Sequence, residues 1–267
     1  MYREHFHLTH ELVPQDAAGK TFYAKLPDFD RLRLRFRLLA EDHGLGLLTA
    51  DPGVGKTAAL RHLTSELPKP EYLTVYLPCF NLGPGDIYRL LAQELGLAPA
   101  FRRASLIRQL KDCLCKLAQN EQRHTIIILD EAHALPQDFL LDLSALLNFA
   151  MDSKRLCALW LCGQPGLRST LSLSFHQPIF TRLRCNFQLQ PIDDSVTFKD
   201  FFAFCCKNAG AERTLFTDTA QDLIFRASRG VPRLIGKLAE EALLVAAERS
   251  KDLVDELILD QVLEQEA

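Results

Sequence analysis

Positions 50–57 read ADPGVGKT, between an apolar run and an amphipathic one. The pattern GxxxxGK[ST] between a strand and a helix is a phosphate cradle, because the N–H groups of a glycine-rich turn converge on phosphate oxygens. Gly53, Gly55, Lys56 and Thr57 fit it. Lys56 is placed to reach the β- and γ-phosphates of ATP, and the Thr57 hydroxyl to hold Mg²⁺. Pro52, Val54 and Ala58 complete the cradle, and the helix N-terminus adds a positive partial charge. The first position of the pattern is Ala50 where glycine is expected. It ends the strand, before the loop proper. A methyl there is harmful only if φ must be positive, and Gly53 beside Pro52 supplies the freedom the turn needs.

A second run, IIILDE over 126–131, ends an apolar strand in two acids. Asp130 is the expected second oxygen of the magnesium shell. Glu131 is placed to polarise an attacking water as general base. With both carboxylates present, hydrolysis is expected and not binding alone. The run continues as DEAH, but no other helicase motif accompanies it.

These residues need elements to carry them. Apolar runs at 45–50, 72–77, 125–131, 156–163 and 185–190 read as buried strands. Helical spacing separates them at 56–67, in GPGDIYRLLAQELG, over 105–119 and in FLLDLSALLNFAMD. Alternating strands and helices predict an α/β fold with a parallel five-stranded sheet and flanking helices. The 74 residues between Lys56 and Asp130 suit a sheet in which another strand intervenes between theirs. DFDRLRLRFRLLAEDHG alternates arginine with apolar residues, yet its acids and closing glycine suit a helix better. After Pro191 only helices follow, which predicts a small all-α lid. The expected division is a leader over 1–27, a nucleotide-binding core over 28–190, and a lid over 191–267 closed by an acidic helix.

Composition bounds the function. The chain has 267 residues, 48% hydrophobic and 24% charged, with a net charge of −3. That argues against a wholly basic nucleic-acid binder but leaves room for a local basic surface. Residues 191–267 hold 9 basic and 15 acidic residues, and the last sixteen carry six acids and no base. Leu253, Leu257 and Val262 recur there at helical spacing, so the segment reads as an amphipathic helix. No apolar signal core or membrane-length run is visible, which predicts a cytoplasmic protein with no membrane partner. The eight cysteines lack a CxxC pair and are expected to be reduced thiols, mostly packed in apolar runs.

With its two ATP motifs, the chain resembles AAA+ ATPases. Within them it resembles the clade of the secretion ATPase ExeA and the transposition regulators TnsC, TniB and MuB. The resemblance runs through MYREHFHL, PGVGKTAALRHL, LDEAHAL, CGQPGLRSTL, FTRLRCNFQL and SRGVPRLIGKLAEEAL in order. It implies further roles. Gln164 matches the polar sensor of the γ-phosphate or water. Arg182 matches the region of the arginine finger that acts on a neighbouring subunit's ATP, with Arg184 its close competitor. Arg233 in GVPR matches the second sensor, on the lid.

The resemblance leaves open what ATP drives. The ExeA type adds a transmembrane helix and a periplasmic part, neither of which is seen here, so a stand-alone regulator is expected. It would be a homo-oligomer, ring or helical filament, on duplex DNA. There it would mark a target for a transposase, possibly with a target-selection protein, until hydrolysis releases it. Residues 98–124 carry a net charge of +4, and Arg102, Arg103, Arg108, Lys111 and Lys116 are the candidate phosphate contacts. The competing readings are a cytoplasmic ExeA-like ATPase acting on protein partners, and a nucleotide-binding scaffold without turnover, motivated by Ala50.

Overall fold

The computed structural model describes residues 2–14, 22–26, 28–79, 82–119, 122–151 and 153–266. Met1, residues 15–21 and Pro27 of the expected leader, Asn120 and Glu121 of the basic segment, and Asp152 of the helix expected in FLLDLSALLNFAMD lie outside them. The chain forms two compact units. One comprises Asp28–Asp51 and Lys56–Leu189, the other Met1–Pro27, Pro52–Gly55 and Gln190–Ala267.

The first unit is built on five parallel strands: β1 Gly44–Thr49, β2 Tyr72–Pro78, β3 His124–Asp130, β4 Cys157–Gly163 and β5 Leu183–Gln188. Their order is β2-β3-β4-β1-β5, so β4 stands between the strand before the glycine loop and the strand ending in Asp130. The helices on the sheet are α2 Phe29–Asp42, α3 Lys56–Ser65, α4 Pro84–Glu94, α5 Arg103–Gln119 and α6 Gln137–Leu146, with short α7 Gly166–Leu171 and α8 Gln177–Phe180 between β4 and β5. Helix α1, Tyr2–His5, belongs to the other unit.

Strand side chains alternate between two covered faces. Leu45, Leu47, Ile127, Leu129, Leu159 and Leu161 join Leu91, Leu110 and Phe139 in one cluster. On the opposite face Trp160 stacks on Phe36 of α2 at 5.5 Å between ring centroids. Gly46 explains how α2 comes so close: a Cβ there would lie 2.6 Å from Trp160 Cε3 and 2.8 Å from Leu39 Cδ2. A glycine inside a strand often marks such an approach. The arginines of α2 are largely committed within this unit. Arg31 pairs with Asp28, Arg33 and Arg37 pair with Glu66, and Arg35 donates to the Asn186 carbonyl.

The second unit is helical: α9 Ser195–Asn208, α10 Asp218–Ser228, α11 Pro232–Glu248 and α12 Glu256–Glu266. Asp194 caps α9 by accepting from the Thr197 N–H at 2.7 Å, and Thr217 caps α10 by accepting from the Ala220 N–H. Pro232 opens α11 at a position where no N–H is needed. The described N-terminal residues share this core: Phe6, Leu8, Leu12 and Tyr23 are buried with Phe198, Ile224, Ile235 and Leu243. Gly236 leaves room for them, since a Cβ there would meet Val13 Cβ at 2.7 Å. The C-terminal helix begins only at Glu256, so Leu253 precedes it and is exposed; α12 buries Ile258, Leu259 and Val262 and leaves Leu257 exposed. Helical spacing groups residues on a face but does not say which face finds a partner.

All eight cysteines are free. Burial pushes the Cys79 and Cys157 thiols up to about 12, so both stay protonated and unreactive. Among the described residues no helix is long and apolar enough to cross a membrane.

Candidate nucleotide site

Within the sheet unit, the chemistry-bearing residues gather at the C-terminal ends of the strands. Open α/β sheets bind ligands at that edge. Strand β1 ends at Thr49, and Ala50 continues it, its N–H donating to the Gly163 carbonyl at 3.1 Å. Ala50 is fully buried and does not take a positive φ, so its methyl is accommodated. The turn's strain falls on Gly53 at φ +86° and Gly55 at φ +107°. A Cβ at Gly55 would meet no atom within 4 Å, so the backbone there is open to a ligand.

Lys56 begins α3, is only 6% exposed, and donates from Nζ to the Ala50 carbonyl at 3.1 Å. Its ammonium is thus held against the residue that continues β1. Thr57 Oγ1 donates to Asp130 Oδ2 at 2.7 Å. That bond joins the helix start to the end of β3 and sets a hydroxyl and a carboxylate side by side. Mg²⁺ prefers oxygen ligands and is bound through one or two carboxylates plus substrate phosphates. The pair fits such an ion, which would bring the β- and γ-phosphate oxygens under electrostatic control.

Asp130 is 2% exposed and has its oxygens engaged on both sides. Oδ1 accepts from the Glu131 N–H at 2.9 Å, and Oδ2 accepts from both Thr57 and the Tyr76 hydroxyl, the latter at 2.9 Å. Tyr76 carried no signal in the sequence, because it is one of two tyrosines in the strand Tyr72–Pro78. Burial first, then the Asp130 carboxylate, raises the Tyr76 phenol pKa, which keeps the hydroxyl a donor.

Glu131 leaves the strand at φ 55°, ψ 35°, a left-handed conformation that costs a non-glycine residue about 1–2 kcal/mol. Its carboxylate lies within 3.4 Å of His133 Nδ1. The end of β4 packs against this turn: a Cβ at Gly163 would lie 3.2 Å from the His133 N atom. Gln164 follows directly, half-buried, with its carbonyl accepting from the Leu167 N–H.

Arg182 and Arg184 lie at the other edge of the sheet. Leu183 pairs with Leu45, five residues before Ala50, so the two arginines are separated from Ala50 by roughly 15–20 Å along the strand at about 3.3 Å per residue. Arg182 Nη1 donates to the Pro178 carbonyl at 2.8 Å. Arg184 is tied to Asp42 Oδ2 at 3.2 Å and to the His43 carbonyl at 2.9 Å. With Arg155, both arginines line a cavity of about 230 Å³ floored by Leu45, Phe149 and Cys157.

In the helical unit, the loop residue Gly53 meets the start of α11. Its carbonyl accepts from the Arg233 N–H at 3.2 Å, and a Cβ there would lie 2.8 Å from Arg233 Cβ. Glycine is therefore required twice at 53, by its φ and by this contact.

The basic segment is divided. Arg103 is ion-paired with Asp142, and Lys111 donates to the Asn148 carbonyl at 2.8 Å while lying over the Phe149 ring. Those two hold α5 to α6 and the segment after it. Arg102, Arg108 and Lys116 are exposed, as is the neighbouring Phe101.

Comparison with known proteins agrees with this geometry. Residues 39–171 match the AAA domain family. General secretion pathway protein A of Aeromonas hydrophila is 29% identical over 215 residues, which cover 79% of this chain and 38% of that protein. The chain thus spans little more than a third of that relative's length. Among solved structures, Cdc6p of Pyrobaculum aerophilum superposes with a TM-score of 0.67 at 20% identity, covering 90% of this chain and 68% of that one. The Drosophila ORC bound to DNA gives 0.71 at 18% identity, covering 100% and 65%. The RuvB Holliday junction branch migration motor of Thermotoga maritima gives 0.56 at 17%, covering 95% and 72%. These structures share the fold. Taken with the glycine loop, Lys56, Thr57 and the Asp130–Glu131 pair, the match over 39–171 makes the protein a P-loop ATPase carrying an AAA domain.

Proposed function

We propose that this ATPase is an oligomerising, ATP-dependent DNA-binding regulator of the TnsC and TniB type, which marks duplex DNA for a transposase and lets go on hydrolysis. One observation carries the oligomer: Thr57 and the Asp130 carboxylate sit at the C-terminal end of the sheet, and Arg182 and Arg184 at the other. A guanidinium there serves a phosphate only in another copy, which is the logic of a finger supplied in trans. Gln164 is read as the sensor beside the attacking water. Arg233, bonded through its backbone to Gly53, is read as the lid's contact with the phosphates.

The DNA reading is supported by Arg102, Arg108 and Lys116, exposed in one segment. Three cations per copy are modest alone but add up around a ring or filament, and they address backbone phosphates without reading bases. Two structures of the same fold, the Drosophila ORC and the Aeropyrum pernix ORC1 protein, are described as complexes with DNA.

The test is assembly with a non-hydrolysable ATP analogue on non-specific duplex DNA at low salt. Filaments or rings that dissolve as salt rises are expected. A protein that remains monomeric on DNA under those conditions sinks the proposal.

A second reading is favoured by the 29% identity to general secretion pathway protein A: an ATPase of a secretion machine, acting on protein partners. It expects hydrolysis indifferent to duplex DNA, so stimulation by DNA counts against it.

A further inference from the structure

Asp130 is the carboxylate through which this ATPase is expected to hold magnesium, and it does not hold its orientation unaided. The β2–β3 register sets Pro78 opposite Asp130 and Tyr76 opposite Ile128. Side chains two apart on a strand share a face, so Tyr76 is the diagonal neighbour of Asp130 across the strand pair. A phenol ring is long enough to bridge that diagonal. Its hydroxyl accordingly reaches Asp130 Oδ2 at 2.9 Å. The carboxylate accepts only, so the phenol must be the donor.

The second donor on Oδ2 is Thr57, at 2.7 Å. Thr57 is also the hydroxyl that would turn a lone pair toward the metal. When it does, the contact with Tyr76 and the Glu131 N–H bond to Oδ1 remain to aim the carboxylate. Tyr76 is 41% exposed, so burial of its ring is incomplete and its hydroxyl has the more specific task.

We propose that Tyr76 is a positioning residue for magnesium-nucleotide binding, acting through Asp130. The inference rests on the reading of Thr57 and Asp130 as the magnesium pair. Partners that orient a metal ligand from behind typically change metal affinity or activity about 10–100-fold when removed.

The test uses the full chain and a fluorescent ATP analogue, titrated with Mg²⁺ against an EDTA baseline. Tyr76→Phe keeps the ring and removes the hydroxyl. The Mg²⁺ concentration giving half-maximal binding should rise about tenfold, with binding in EDTA and the melting temperature unchanged. When Asp130→Asn is already in place, the same substitution should add little, because the two residues act as one unit. A midpoint in Tyr76→Phe within twofold of the parent overturns the proposal. So does an undiminished effect when it is combined with Asp130→Asn. If the parent binds the nucleotide equally with and without Mg²⁺, the magnesium pair itself is misassigned, and the Tyr76 role falls with it.

Discussion

Restoring glycine at position 50 makes the pattern complete, yet the structure predicts a weaker protein with the same rate. Ala50 is fully buried and does not take a positive φ. Its functional contacts are both backbone: its N–H to the Gly163 carbonyl and its carbonyl to Lys56 Nζ, each at 3.1 Å. Ala50→Gly leaves both. It removes one buried methyl, costing about 0.8 kcal/mol. The added freedom of glycine in the unfolded chain costs roughly 0.5–1 kcal/mol more. A loss of about 1.5 kcal/mol lowers the melting temperature of a chain this size by roughly 3–6 °C. Differential scanning fluorimetry reads the shift, and phosphate release under saturating Mg·ATP reads kcat. A change in kcat beyond threefold, about 0.6 kcal/mol in the barrier, means that position 50 governs loop geometry. A rise in melting temperature means that the methyl is strained. Either result refutes the reasoning that places all the turn's strain on Gly53 and Gly55.

Three further substitutions probe separate parts. Glu131→Gln should cut steady-state turnover by about 10²–10⁴-fold and leave nucleotide binding intact, as loss of a general base requires; turnover near the parent's would remove Glu131 from that role. Arg182→Ala should abolish cooperative turnover in the assembled form, by up to about 10³-fold, with ATP affinity unchanged. Mixing it with a Lys56→Ala partner should restore part of the rate if the finger acts in trans, and no recovery argues against it. Leu12→Ala, at a site 1% exposed in the helical unit, should cost about 2–5 kcal/mol and make the N-terminal segment sensitive to protease; unaltered stability would show that the segment is not part of that core.

The candidate nucleotide motifs were legible in the sequence because each is a short-range pattern. Gly53, Gly55, Lys56 and Thr57 work through a single turn and the start of one helix, and IIILDE announces a buried strand ending in two acids. Apolar runs and helical spacing were enough for the five strands, for α3 to α6 and for the helical character of the C-terminal part, but the short α7 and α8 carried no such signal. What the sequence left open involves residues distant along the chain. Arg103 and Lys111 look like any exposed cations until α6 and the segment after it are placed beside them. Tyr76 meets Asp130 only because β2 is the strand paired with β3, in that register and no other. Gly46 and Gly236 are glycines for the sake of Trp160, Leu39 and Val13, all contributed by other segments. A local pattern states which faces are apolar and which turns are tight; strand order and register decide which side chains meet. Those follow from packing the whole chain at once, and that step belongs to the tertiary structure.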